Sequence, residues 1–307
     1  MKAGTSEIAA GLLSVAAIAT IPMVASAALN INDPSIINLY HFNDQVGANP
    51  FNNGVPGQFV DTAITGTPQN HDDLSAASPT WVNTPGIGDG KGIDLDRAST
   101  QYTRFSPWMN TSQGSYSNGK SFSVMVRLNA GALVDNAVYD VIGIGSHKIS
   151  LQGNSTPNTA GVNIQVRDQN TFWTLNNSGT TNGSGSSGAS FVLNGGEWIN
   201  LFMIYNANTS LTLAYDNGTT FAAQTATGAP AGFDTLGELF DNAGVHWFVG
   251  STGAGVNTFD GQIETIAIWD KALTTAEADA IGLTNVPEPA GVGVLGLAAL
   301  AATRRRK

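Results

Sequence analysis

Apolar and polar side chains alternate with a period of two along much of the middle of the chain, and this feature restricts its fold most. Residues 122–128 and 162–166 both place an apolar side chain at every second position. Successive side chains of a strand point to opposite faces of a sheet, so this period predicts strands with one buried face. The segment Ile263 to Trp269 is apolar on nearly both faces, which is typical of a strand between two layers. The pattern predicts an all-β fold, a two-sheet antiparallel sandwich.

Turn and cap signals agree with this class. Leu211, Leu213 and Tyr215 lead directly into Asp216-Asn217-Gly218, a tripeptide that tolerates positive φ and predicts a turn. The 36 glycines and only 12% charged residues suit short strands and polar turns better than long amphipathic helices.

One short helix has a clear start and end. Thr274 and Glu277 have the spacing of a capping box, with Thr274 as the N-cap, and Gly282 closes the helix as a left-handed cap. The Gly- and Ser-rich stretch 176–190 is interpreted as a solvated loop.

The chain has no cysteine. Disulfides, thiolate zinc sites, iron–sulfur clusters and a cysteine nucleophile are therefore excluded. Its net charge is −10, and the middle is more acidic still because Lys2 and Arg304–Lys307 lie at the ends. Such a domain repels phosphate backbones, so we expect no nucleic-acid partner. The acidity indicates either solubility outside the cell or oxygen ligands for Ca²⁺.

The N-terminus, residues 1–27, is interpreted as a cleavable signal peptide. Lys2 precedes an apolar run from Ile8 to Val24, and Ala25-Ser26-Ala27 has the small-x-small pattern of a signal peptidase site. An uncleaved anchor is the alternative. Residues 28–284 are then the globular domain.

The C-terminus, residues 285–307, has three parts in a fixed order: Pro287-Glu288-Pro289, an apolar run from Ala290 to Ala302, and the basic end Arg304–Lys307. A basic cluster after an apolar stretch stays cytoplasmic, so the prolines face outward. The run is shorter than the about 20 residues that span a bilayer, which favours a transient anchor.

This order resembles the PEP-CTERM sorting tail of exopolysaccharide-producing bacteria. The resemblance implies recognition by an exosortase near Pro287, Glu288 and Pro289 and removal of the rest. It also implies transient anchoring in the inner membrane, followed by an extracellular or cell-surface location.

Six segments of the middle resemble the LamG-like, concanavalin A-like jelly roll, in the family's order. They are Leu39–Asp44, Gly92–Asp96, Ser121–Leu128, Glu197–Tyr205, Leu213–Gly218, and Phe259–Leu273 with the capped helix. The chain departs from the pattern in Glu264, where Asp is usual, in Arg127 or Val126, where an aromatic often lies, and in long inserts near 45–90 and 176–190.

Catalytic patterns are not found. A retaining glycosidase needs two close carboxylates, which the related jelly-roll glucanases place as Glu-x-Asp-x-(x)-Glu. The glutamates of the middle begin no such pattern: Glu197, Glu238, Glu264 and Glu277. Asp94 and Asp96 share a strand face, and we interpret them as exposed carboxylates or ion ligands. The histidines lack metal-ligand spacing: His41, His71, His147 and His246. We expect no enzyme.

Binding is easier to support, because sugar rings stack on exposed aromatic side chains. Trp198 and Trp269 lie in apolar strands and are predicted to be core. The candidate ligand-binding residues have Gly, Ser, Asn or Pro nearby, which favours loop exposure: Trp81, Trp108, Tyr116 and Trp173. Partial burial under a loop is the competing interpretation.

The LamG-like resemblance also implies one Ca²⁺ ion at the rim of the sandwich. Asn43, Asp44 and Glu264 come from the family's end strands and are the predicted ligands. The alternative is a surface hydrogen-bond network without metal.

Three hypotheses follow. The first is an exported surface or matrix protein that binds polysaccharide and meets signal peptidase and an exosortase during export. The second is a passive structural or adhesive surface protein without a specific ligand. The third and weakest is a glycan hydrolase or lyase.

Overall fold

The structure, a computed structural model, describes residues 29, 33, 35–41, 79–85, 87, 90–105, 121–144, 147–168, 171–176, 192–207, 209–229, 247–251 and 257–283. In chain order the strands are β1 (Ile36–His41), β2 (Thr80–Asn83), β3 (Lys91–Leu95), β4 (Thr103–Phe105), β5 (Phe122–Ala130), β6 (Val138–Ile144), β7 (His147–Gly153), β8 (Thr159–Asp168), β9 (Thr171–Asn176), β10 (Leu193–Asn194), β11 (Trp198–Asn206), β12 (Ser210–Asp216), β13 (Phe221–Thr227), β14 (Trp247–Val249) and β15 (Gly261–Trp269). Helix α1 (Thr275–Ile281) follows.

The strands form two antiparallel sheets, which confirms the predicted all-β, two-sheet jelly-roll sandwich. The larger sheet has the order β13-β12-β11-β5-β15-β3-β2, and the smaller sheet has the order β10-β8-β7-β6-β14-β4. β1 also pairs with β15, and β9 also pairs with β8. β15 therefore carries two partners along one edge, β3 on its first half and β1 on its second. Its pairing with β5 on the other edge has a register irregularity between Ile263 and Thr265.

The core lies between the sheets and is built by the predicted alternation. The alternating residues Phe122, Val124, Val126 and Leu128 of β5 and Val162, Ile164 and Val166 of β8 are buried there, together with Leu211, Leu213 and Tyr215. Because the side-chain period of a strand is two, the residues between them point to the outer faces. The predicted turn follows β12, where Gly218 has a φ of 79°.

A second apolar cluster covers part of the outer face of the larger sheet. Met125, Phe202 and Trp269 pack there against α1 and Leu29. This cover explains why Ile263 to Trp269 is buried on both faces, as predicted. Trp269 is a core residue, as expected, but Trp198 is only half-buried, because it begins β11 beyond the area that α1 covers.

Helix α1 begins as predicted. The Glu277 backbone N–H donates to the Thr274 hydroxyl at 3.1 Å, and the Thr274 backbone N–H donates to the Glu277 carboxylate at 2.7 Å. Gly282 follows with φ 58° and ψ 165°, a positive φ that favours glycine. Among the described residues, no helix is long and apolar enough to cross a membrane.

The proposed signal peptide and sorting tail lie outside the described residues, as do residues 177–190 of the proposed loop.

Candidate functional site

Trp173 does not lie in an exposed loop, and its interpretation as a sugar-stacking residue is wrong. It is in β9, where its side chain is 0% exposed and its ring meets Tyr205 edge-on at 6.2 Å between centroids. β9 pairs with β8 along its whole length, and in this arrangement the Trp173 side chain faces the core. A side chain without exposed surface has no face on which a sugar ring stacks.

The other aromatic residues that were predicted to bind a ligand remain predictions. Trp81 lies in β2, where its Cα pairs with that of Ile93. Trp108 and Tyr116 lie outside the described residues.

Glu264 is not exposed at a rim. Its side chain is 1% exposed, and its Oε2 lies 3.2 Å from Nη1 of Arg127, which is equally buried. The same oxygen accepts a hydrogen bond from the Thr265 hydroxyl. A carboxylate held by a buried guanidinium is already neutralised, so Glu264 does not fit the role of calcium ligand.

The remaining predicted calcium ligands, Asn43 and Asp44, lie outside the described residues. The strand proximity behind that prediction is confirmed, because β1 pairs with β15 and His41 lies opposite Thr265. The described ranges contain no group of three or more His, Cys, Asp or Glu side chains able to hold a metal ion.

The Arg127 guanidinium also holds the chain after the helix. Its Nη2 donates to the carbonyl of Gly282 at 2.9 Å, and its Nε donates to Oδ1 of Asn200 at 2.9 Å. Nδ2 of Asn200 donates to the same Gly282 carbonyl at 2.9 Å. Two side chains of central strands therefore fix the chain at Gly282 on the larger sheet.

The described acids have distinct environments. Glu197 accepts hydrogen bonds from Asn217 at 2.6 Å and Asn194 at 3.1 Å, Glu264 is paired with Arg127, and Glu277 caps α1. Asp94 is half-buried, and burial, more than the charges of Asp260 and Asp96, raises the pKa of its carboxyl. Hydrogen bonds from Ser99 and from the Ala98 backbone lower the pKa of the exposed Asp96. Glu238 lies outside the described residues.

The outer face of the smaller sheet carries a continuous group of polar side chains, which we call the polar face. It consists of Asp140, Lys148, Ser150, Asn163, Gln165 and Thr174, of which Asp140 and Ser150 are buried and the other four are half-buried. Each alternates with a core residue of its strand, so all of them point away from the core.

Strand register places these side chains next to one another. Lys148 lies opposite Gln165, which lies opposite Thr174, and Ser150 lies opposite both Asn163 and Asp140. Directly opposed side chains on adjacent strands are within contact distance. Sequence reasoning missed the polar face because the pairing of four strands, and not a local motif, assembles it.

The polar face is close to neutral. Nζ of Lys148 lies 3.2 Å from Oδ1 of Asp140, so its only cation is paired with its only anion. The amide oxygen of Asn163 is buried and accepts no hydrogen bond from any described residue. A buried acceptor of this kind is normally satisfied by another protein group or by ordered water, so its missing partner calls for an explanation. Amides and hydroxyls in this arrangement both donate and accept, as the binding of sugar hydroxyls requires.

No family model and no curated protein matches the chain. Among solved structures, the binding domain of Paraclostridial Mosquitocidal Protein 1 is similar over 80% of this chain and 51% of that one, at 14% identity and a TM-score of 0.49. Domain 4 of AbnA, an extracellular arabinanase from Geobacillus stearothermophilus in complex with arabinotriose, is similar over 81% and 98%, at 16% identity and 0.48. The CBM40 of the Ruminococcus gnavus IT-sialidase, bound to sialyllactose, is similar over 68% and 100%, at 14% identity and 0.39. The chain thus spans about half of the first of these proteins, and likeness at this level assigns no family.

Proposed function

We propose that this protein is an exported polysaccharide-binding module and that the polar face is its ligand-binding surface. The observation that carries the proposal is the neutral set of amides and hydroxyls on four paired strands, with a buried Asn163 amide oxygen that accepts no hydrogen bond from the described residues. Strands are rigid supports, so the side chains keep their spacing when the ligand leaves.

The ligand is a neutral rather than an anionic glycan. Lys148 is paired with Asp140, so the one cation among the six named residues of the polar face is already compensated. The chain as a whole carries −10, which opposes the approach of a polyanion.

The test is binding of the full-length protein, in mild detergent, to an array of neutral and uronic-acid polysaccharides. We expect selective binding of a neutral polymer and a loss of about tenfold or more in affinity for Asn163→Ala combined with Gln165→Ala. Thr219→Ala, at an exposed turn residue, is the matched control and leaves binding unchanged. Binding unaffected by the double variant would remove the polar face from the proposal, and no binding at all would leave a passive surface protein.

Parallel arrays with Ca²⁺ and with EDTA test the metal. Since Arg127 holds Glu264, we expect equal binding in both conditions. Binding lost in EDTA would instead restore a calcium site at Asn43 and Asp44.

Export and sorting through residues 285–307 are part of the same proposal. They are supported by the order of Pro287-Glu288-Pro289, the apolar run and the basic end. In a host with an exosortase, mass spectrometry of the surface-exposed protein should find the chain ending near this motif. The Glu288→Ala variant should retain residues 290–307, whereas the control variant Thr284→Ala should lose them. Equal processing of the two variants would contradict sorting through the motif.

We also propose that the chain does not cleave its ligand, because the described glutamates are held by structural partners. Incubation with the bound polysaccharide should release no reducing ends or unsaturated products. Release of either identifies a hydrolase or a lyase.

A further inference from the structure

A row of side chains crosses the outer face of the larger sheet at the end that α1 does not cover. Its members occupy directly opposed positions on five adjacent strands, and we call them the Trp198 row: Trp198, Asn129, Gln262, Asp94 and Thr80. Adjacent strands are about 4.8 Å apart, so the row is about 19 Å long. A surface of this length suits a polymer chain better than a single small molecule.

These side chains point to the outside. Their neighbours Ile199, Leu128, Ile263 and Ile93 are buried in the core between the sheets, and successive side chains alternate. Thr80 is exposed and the other four members of the row are half-buried, so all are in part accessible.

The next positions along these strands form a wall beside the row. Asn200 and Arg127 lie two residues further along β11 and β5, on the same face, and are fully buried because both bind the Gly282 carbonyl. Leu283 is also buried. The row therefore lies beside a covered area of the sheet. That area bounds one side of a polysaccharide chain bound on the row.

The chemistry of the row is that of a sugar-binding surface. Trp198 offers a partly exposed aromatic side chain at one end, on which the apolar face of a sugar can stack. Asn129 donates to the carbonyl of Gly196 at 3.2 Å, and Gln262 shares a hydrogen bond with Asp94. The amides are thus held in place while they retain capacity for further hydrogen bonds.

The negative charge of the row favours neutral over anionic sugars. Asp94 is the only ionisable member of the row, and both Asp96 and Asp260 lie near enough for their charges to act on it. A uronate or sulfated chain would meet this negative charge, whereas the hydroxyls of a neutral sugar donate to it.

We infer that the Trp198 row is a second binding site, for a neutral polysaccharide chain, on the face of the sandwich opposite the polar face. The inference goes beyond the proposed function because the two sites belong to different sheets whose outer faces point away from each other. One domain then holds two chains, or two distant parts of one chain, and acts as a cross-link in a matrix.

The test uses the full-length protein and the same array of neutral and uronic-acid polysaccharides, with Trp198→Ala and Gln262→Ala as the variants of the row. We expect each to lower the affinity for a neutral polymer by about tenfold at its site. Gln262→Ala removes no core side chain, so it reports on binding even if Trp198→Ala reduces folding. Asn163→Ala with Gln165→Ala reports on the polar face independently.

Cross-linking is measured as the turbidity of a solution of the bound neutral polymer on addition of protein. The wild-type protein should precipitate the polymer, and variants of either face should bind it without precipitation. Loss of binding only with the polar-face variant overturns the second site and leaves the proposed function intact. Loss of binding only with the row variants supports the Trp198 row as a binding site and contradicts the assignment of the polar face. Preference for a uronic-acid polymer contradicts the assigned ligand class.

Discussion

Arg127 and Glu264 form an ion pair at 3.2 Å between Nη1 and Oε2, with both side chains 1% exposed. From the sequence, both residues are expected to differ from a LamG-like pattern, Arg127 or Val126 standing in place of an aromatic and Glu264 in place of Asp. The structure places Arg127 beside Glu264. A buried guanidinium requires an anion, and β15 supplies it next to its register irregularity.

The first prediction concerns this pair. Arg127→Met leaves the buried Glu264 charge without its cation, and Glu264→Gln removes the carboxylate paired with the guanidinium. Each should lower the free energy of unfolding by about 3–5 kcal/mol. The double variant Arg127→Met with Glu264→Leu should recover part of the loss, because neither charge then remains. Urea unfolding of the full-length protein measures all three.

Lys271→Met is the control for a loss of positive charge without burial. Lys271 is 37% exposed and pairs with Glu277 at 3.0 Å, and such exposed pairs contribute below about 1 kcal/mol. If Arg127→Met and Glu264→Gln lower the free energy of unfolding no more than Lys271→Met does, the buried pair does not stabilise the fold.

The sequence predicts the strands well because their signal is local. The alternation at 122–128 depends only on neighbouring residues, and all four of its apolar side chains are buried in the core. The capping box of α1 is equally local, and its two reciprocal hydrogen bonds are present. Turn and cap chemistry is fixed by three or four residues, so one sequence suffices to recognise it.

What the sequence does not reveal depends on distant partners. Trp173 has Asn and Thr residues nearby in the sequence, yet it is buried in β9, which pairs with β8. The outward-facing Met125 and Arg127 of β5 are buried because α1 and Gly282 cover them from the far end of the chain. The polar face and the Trp198 row depend on register between strands that are distant in sequence, which a period of two does not specify.

The second prediction compares Trp173 and Trp198. Trp173→Ala removes a fully buried ring and should cost about 3–5 kcal/mol of stability. Trp198→Ala removes a half-buried ring and should cost clearly less, with its main effect on ligand binding. Denaturant unfolding and the polysaccharide array measure the two effects separately. Equal destabilisation by both variants contradicts the difference in burial.

The third prediction is a dependence on pH through Glu277. The hydrogen bond from the Thr274 backbone, followed by that from Lys271, holds the pKa of this carboxyl below its ordinary value. A lowered pKa in the folded state means that the contribution of Glu277 is complete above the ordinary glutamate pKa and is lost as the pH falls through the folded-state pKa. The Tm of the wild-type protein should exceed that of Glu277→Gln at about pH 7, and the difference should shrink as the pH falls below the ordinary glutamate pKa of about 4.3. A constant difference in Tm would contradict the linkage.

The last prediction concerns Asn158, which ties two loops at one end of the sandwich. It has a φ of 57°, which Asn tolerates better than most residues. Its Oδ1 accepts from the Leu133 backbone N–H at 3.0 Å, and its Nδ2 donates to the Gly195 carbonyl at 3.2 Å. Asn158→Gly keeps the backbone conformation and removes both bonds, so it should cost about 1–3 kcal/mol. Asn158→Asp keeps only the acceptor and should protect the Leu133 amide from hydrogen exchange, whereas Asn158→Gly should expose it. Equal exchange at Leu133 in both variants would show that the side chain does not hold the loop.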